Sequence, residues 1–272
     1  MNPQAVIQLD SVRCMVATRC VLEIDNLNIQ QGERVAIVGH NGAGKSTLLR
    51  LLSGFMPPAQ GQVEVLGRDL SQPLSAMQLR LLRLELAQIM QGLHLVGRLS
   101  VLDNVLIGSL GRVTGWRSWL RCFPEHEIAR AEAALQSVGL AKFARHRADK
   151  LSGGERQKVA IARLLVQNPR LILADEPTAA LDPAAADEVC QLLTGVAARA
   201  TLITVVHNPA LLPQLAERVI GLKNGRIVFD LPTATVDEAK LANLYALPNP
   251  VPKQLGEAPS TQPLVPEEEY CR

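Results

Sequence analysis

The nonapeptide Gly39-His40-Asn41-Gly42-Ala43-Gly44-Lys45-Ser46-Thr47 constrains this chain of 272 residues more than any other stretch. It follows a short apolar run, Arg34 to Val38, and opens a helix-forming run, Leu48 to Leu52. It fits G-x-x-x-x-G-K-[ST] in the strand–turn–helix setting that phosphate binding requires. Glycines let the backbone curl so that successive N–H groups point at phosphate oxygens, and the new helix adds its positive end. Lys45 is placed to reach the outer phosphates and the Ser46 hydroxyl to hold Mg²⁺. The motif implies handling of a nucleoside triphosphate.

A second apolar strand, Leu171-Ile172-Leu173-Ala174, ends in Asp175-Glu176. A buried strand emerging beside the phosphate loop would deliver Asp175 to the Mg²⁺ shell. Glu176 would then orient or deprotonate the attacking water, work that needs a carboxylate near the γ-phosphate. Upstream, Leu151-Ser152-Gly153-Gly154-Glu155 places two glycines after a serine at a helix start, a set of free N–H groups reinforced by the helix dipole.

With Gln157-Lys158-Val159-Ala160-Ile161-Ala162-Arg163 and the acidic strand behind it, this segment resembles the ATP-binding-cassette (ABC) ATPases, over about residues 5 to 230. The resemblance implies more. Gln91 matches the glutamine that contacts Mg²⁺ or the attacking water, and His207 matches the switch histidine that would hydrogen-bond the γ-phosphate. Ala179-Ala180-Leu181-Asp182 is similar to the D-loop, with Asp182 at a subunit boundary. In such ATPases two cassettes sandwich two ATP molecules head to tail, so Ser152, Gly153 and Gly154 of one copy close over the phosphates bound by the other. A homodimer is therefore expected, with little hydrolysis by isolated copies. Two positions depart from the pattern. The family's adenine-stacking aromatic aligns with Cys14 in Ser11-Val12-Arg13-Cys14, where Arg13 would offer a guanidinium face instead and base discrimination would be weak. Asn208 follows His207, where an acidic residue is common.

The expected fold is α/β: a P-loop NTPase core of ABC type, an N-terminal antiparallel β portion and an inserted helical subdomain. The ATPase domain is expected over 5–247, with the helical subdomain at about 93–150, where Val101–Leu110 and Glu125–Val138 read as helices. Strands are expected at Val6–Leu9, Val21–Ile29, Arg34–Val38, Gln62–Leu66, Leu86–Met90, Leu171–Ala174 and Thr201–Val206. Lys223-Asn224-Gly225 reads as the turn of a hairpin between Arg218–Leu222 and Arg226–Asp230. Helices are expected at Glu155–Gln167 and from Pro183, with a further one within residues 231–247. Residues 248–272, rich in Pro, Gln and Glu, read as a disordered tail. There are no internal repeats, so the chain carries one nucleotide-binding unit.

Net charge is +2, so no electrostatic case exists for a nucleic-acid partner. Arg80, Arg83, Arg112, Arg117 and Arg121 read as solvated faces. No apolar run approaches the roughly 20 residues needed to cross a bilayer, and no secretion signal stands at the start. The 5 cysteines, scattered and odd in number, read as thiols of a reducing compartment. Transport would then need two separate permease subunits and an extracytoplasmic solute-binding protein, with this chain on the cytoplasmic face of the inner membrane. The run from His94 to Gly111, with Trp116, Trp119 and Phe123 behind it, is similar to the phosphonate import ATPases, as is Ile172 to Pro177. That resemblance implies uptake of phosphonate or a related phosphorus oxyanion; an importer of another solute and a non-transport regulatory cassette are the alternatives.

Overall fold

The computed structural model describes residues 5–113 and 122–245. Trp116, Trp119, Arg117, Arg121 and the segment 248–272 lie outside the described residues. Three strands that read as continuous apolar runs, β3 (Arg34–Val38), β7 (Leu171–Asp175) and β8 (Thr201–Val205), form the centre of a six-stranded sheet. Its order is β10-β9-β3-β8-β7-β6, with β6 (Leu86–Ile89) at one edge and β9 (Arg218–Lys223) and β10 (Arg226–Pro232) at the other. All pairings are parallel except the β9–β10 hairpin, which turns at Asn224-Gly225 as expected. Parallel strands covered on both faces have no wet side, which is why these runs show no polar alternation.

Successive residues of the central strands feed two different cores. Val35, Ile37, Leu171 and Leu173 face one, and Ala36, Val38, Ile172 and Ala174 face the other. The first core is closed by α1 (Lys45–Leu52) and by a second sheet, ordered β2-β1-β4-β5. This sheet is antiparallel and comprises β1 (Ala5–Val16), β2 (Arg19–Gln30), β4 (Gln60–Val65) and the short β5 (Arg68–Asp69). It is the expected N-terminal β portion, with strands longer than the sequence indicated. The second core is closed by α5 (Gly153–Gln167), α6 (Pro183–Ala197) and the helical insertion.

That insertion holds α3 (Val101–Leu106) and α4 (Glu125–Ser137), named in chain order after α2 (Ala76–Glu85). The run expected as one helix over Val101–Leu110 tightens to a 3₁₀ turn at Ile107–Ser109. There Gly108 meets α5: a Cβ would fall 2.5 Å from the Arg163 carbonyl oxygen. Arg112 is not part of a solvated face. Its guanidinium donates to both carboxylate oxygens of the buried Glu127 and to the Val166 and Gln167 carbonyls, tying α4 to the end of α5. These bonds hold the Glu127 carboxyl below its usual range against the cost of burial. The chain continues through α7 (Leu212–Leu215) to α8 (Glu238–Tyr245), the helix expected within 231–247.

Candidate active site

The phosphate loop turns sharply because β3 ends against β9. A Cβ at Gly39 would lie 2.2 Å from the Leu222 carbonyl oxygen, so no side chain fits there. Gly44, with φ of 105°, caps α1 in a left-handed conformation that glycine adopts without penalty. Ala43 is fully buried and its carbonyl accepts from the Gly225 N–H at 2.9 Å, pinning the loop to the hairpin turn.

Lys45, buried at the first position of α1, donates from Nζ to the Gly39 carbonyl at 2.7 Å and the His40 carbonyl at 3.1 Å. Burial lowers its pKa, while Glu176 and Asp175 nearby work in the other direction. The ammonium is thus held inside the loop, where a phosphate oxygen can replace a carbonyl as its partner. Ser46 Oγ donates to Asp175 Oδ2 at 3.4 Å. The two expected Mg²⁺ ligands, from α1 and from the end of β7, therefore face each other. The Asp175 carboxyl is pushed above its usual range, first by burial and then by the neighbouring Glu176 charge.

Glu176 sits at φ of 51°, an uncommon conformation for a residue with a Cβ, and its N–H donates to the Val205 carbonyl at 3.2 Å. Gln91 Nε2 donates to Glu176 Oε2 at 3.4 Å. A cleft of about 820 Å³ gathers His40, Asn41, Gly42, Gly44, Lys45, Ser46, Thr47, Gln91 and Glu176. Gly39 and Ala43 shape the loop from behind.

The other expected site residues lie outside this cleft. Ser152 caps α5: its Oγ accepts from the Glu155 N–H at 3.3 Å, and Glu155 Oε2 accepts from the Ser152 N–H at 2.8 Å, a reciprocal capping box. Ser152 and Gly153 are exposed, with Gly154 partly so. Asp182 caps α6 by accepting from the Ala185 N–H at 3.0 Å. His207, just past β8, is exposed. Within one copy, none of these residues lines the nucleotide cleft.

Cys14 requires a correction. It is fully buried beside Val12 and Leu22 and faces the core, so it cannot meet a base. Arg13 pairs with Glu23 at 2.9 Å, Glu23 is shared with Arg226 at 2.5 Å, and Arg13 is not among the residues that line the cleft.

Two residues of α5 emerge that carried no site role in the sequence. The buried Gln157 donates from its amide to the Pro177 carbonyl, next to Glu176. Arg163, its pKa lowered by burial, donates to the Leu93 carbonyl at 3.1 Å, two residues after Gln91. The helix capped by Ser152 thus holds the segments that follow both Glu176 and Gln91. Polar side chains inside an otherwise apolar helical run were the available signal.

A phosphate-binding loop facing an acidic strand end, on a parallel sheet with a helical insertion, defines a P-loop nucleotide-hydrolysing cassette. Comparison with known proteins agrees. Residues 22–179 match the family described as ABC transporter. The phosphonates import ATP-binding protein PhnC of Nitratidesulfovibrio vulgaris is 42% identical, over 85% of this chain and 87% of its own. The phosphonates import ATP-binding protein PhnC 2 of Pseudomonas syringae pv. syringae is 45% identical, over 80% and 81%. Among solved structures, a dimeric post-hydrolysis state of the ATP-binding cassette MJ0796, bound to ADP and Pi, matches with a TM-score of 0.72. It is 32% identical and covers 84% of this chain and 98% of that one. The chain belongs to the ABC transporter family and is an ATPase of that family.

Proposed function

We propose that this chain is the ATP-hydrolysing subunit of an importer for phosphonate or a closely related phosphorus oxyanion, acting as a homodimer beneath two separate permease subunits. The observation that supports the dimer most is the separation within one copy: a nucleotide cleft built around Lys45, and an exposed Ser152-Gly153-Gly154 loop outside it. The loop's side chains are satisfied locally, which leaves backbone N–H groups and the α5 dipole directed outward as an anion site. ATP bound by one copy would be covered by that loop from the other, with Asp182 and His207 brought to the boundary.

In this reading Gly42 to Thr47 cradle the phosphates, Lys45 leaves its carbonyl partners for the outer phosphate oxygens, and Glu176 accepts the proton of the attacking water. Gln91, bonded to Glu176, positions that water. The facing Ser46 hydroxyl and Asp175 carboxylate are hard oxygen donors suited to Mg²⁺, but too few to form a cage, so phosphate oxygens complete the set. When bound there, Mg²⁺ neutralises charge on the transferring phosphate.

Among the described residues no helix is long and apolar enough to cross a membrane. The relatives' names as import ATP-binding proteins support placing the chain peripherally on the cytoplasmic face of the inner membrane, with a solute-binding protein outside. A groove of about 610 Å³ supports permease docking; Phe55, Arg80, Arg83, Leu84, Ile107 and Leu110 contribute to its lining. Arg80, Arg83 and Leu84 belong to α2, so the proposed docking face extends beyond the helical insertion onto the core.

The names of the relatives support phosphonate as cargo. The test is growth on an alkylphosphonate as sole phosphorus source in cells lacking this chain. The wild-type chain is expected to restore growth and Glu176→Gln to fail. Undiminished growth without the chain would remove the phosphonate assignment.

A further inference from the structure

We infer that the nucleoside end of the cleft is governed by Arg19, whose guanidinium serves as the platform for the base, and that the chain selects a purine triphosphate by its phosphates more than by its base. The inference rests on the triphosphate-binding role of the cleft proposed above. The phosphate end is fixed by Lys45, Ser46, Gln91 and Glu176, and the same cleft runs to Arg19, Cys20, Val21 and Asn224.

This far end is rigidly joined to the phosphate loop. The Gly225 N–H donates to the Ala43 carbonyl at 2.9 Å, and the Glu23 N–H donates to the Gly225 carbonyl at 2.7 Å. A Cβ at Gly44 would already touch the Val21 carbonyl oxygen at 3.0 Å. The first residues of β2 therefore keep a set distance from the phosphates, as a base-contacting element must.

The chemistry of that end is unusual for a purine site. Among the described residues no phenylalanine, tyrosine or tryptophan lines the cleft, and its one imidazole, His40, belongs to the phosphate loop, with Nδ1 2.7 Å from the Asn41 carbonyl oxygen. Cys14 faces the core, and Arg13 is held by Glu23. Cys20 is turned to the backbone, with Sγ 3.4 Å from the Leu22 carbonyl oxygen. Arg19 is exposed at the start of β2, opposite Val16, and no ion pair engages it among the described residues. A planar guanidinium stacks on any aromatic base, and such stacking distinguishes one purine from another poorly because every base presents a π face.

The experiment compares ATP, GTP and inorganic triphosphate as competitors for a fluorescent nucleotide on the full-length chain and its Arg19→Ala and Arg13→Ala variants. For the wild type, ATP and GTP are expected to bind within a fewfold of each other. Arg19→Ala should weaken both by about five- to tenfold. It should leave inorganic triphosphate unchanged, and Arg13→Ala should alter none of the three. Arg19→Tyr, which restores a flat face without charge, should recover most of the lost affinity. An unchanged ATP affinity in Arg19→Ala would overturn the assignment, as would an equal loss for inorganic triphosphate or a wild-type preference for ATP above about tenfold. Lys45→Ala separates this outcome from failure of the underlying site: if it leaves all three ligands bound, the cleft itself has been misassigned.

Discussion

The phosphate cleft and the Ser152 loop are both anion sites built on helix N-termini, yet they differ in completeness. Around Lys45 the chain supplies a cradle, a buried cation, two acids and a glutamine, and it strains its own backbone at Glu176 to assemble them. At Ser152 it supplies only a capped helix end and two small residues, with no acid or cation directed at a ligand. In the proposed function the first region holds a triphosphate and the second covers one that another copy has bound. On that proposal, hydrolysis is a property of the pair.

The comparison can be broken at several points. The largest effect belongs to Glu176→Gln, which keeps the shape of the side chain but removes the base. Hydrolysis should fall by about a thousandfold with ATP affinity retained, measured by phosphate release and equilibrium binding. Turnover near normal would take Glu176 out of its role. Lys45→Ala should weaken ATP binding itself, by about a hundredfold, because a buried charge-assisted contact is lost.

Ser152→Ala sharpens the contrast in the opposite direction. Binding of ATP to dilute chain should not change, while turnover at high concentration drops by about tenfold. The lost cap should also cost about 1 kcal/mol of stability in denaturant unfolding. If dilute binding falls as well, the two regions are not separate.

Asp175→Asn tests the electrostatics of the cleft. The Asp175 pKa is raised in the folded chain, so its charged form costs stability above that pKa, and the cost disappears as pH falls through it. The amide variant should therefore melt higher than the wild type at neutral pH without nucleotide, lose that advantage in acid, and hydrolyse poorly throughout. The smallest effect expected is for Arg163→Met, which frees the Leu93 carbonyl. Its turnover should fall a fewfold with nucleotide affinity unchanged.

What could be read from the sequence follows from how local the physics is. The phosphate loop, the acidic strand and the Ser152 helix start are each written in consecutive residues whose backbone geometry and chemistry are set together. The buried strands β3, β7 and β8 were legible for the same reason. The helix α2 was missed because only Leu82 is fully covered, and its face carrying Met77 and Leu81 is exposed, so the apolar period is blurred. Its Ser75–Gln78 capping box was a signal that went unused.

Cys14 was aligned with the family's stacking position, but strand parity turns it inward. Val12 points inward, so Cys14, two residues on, does too. Arg112 was misread because it lies in a turn and its partner, Glu127, lies 15 residues on in α4, so no local pattern joins them. That Ser152 stays outside its own cleft was implied by the family resemblance; no local pattern of residues shows it.

The most direct test is the mass of the Glu176→Gln chain in solution, measured by sedimentation or light scattering with saturating ATP and Mg²⁺. The account predicts a shift from one copy to two that requires ATP, is not produced by ADP, and is lost when Gly154→Asp places a repelling carboxylate at the covering loop. A chain that remains a single copy under saturating ATP would contradict the shared site.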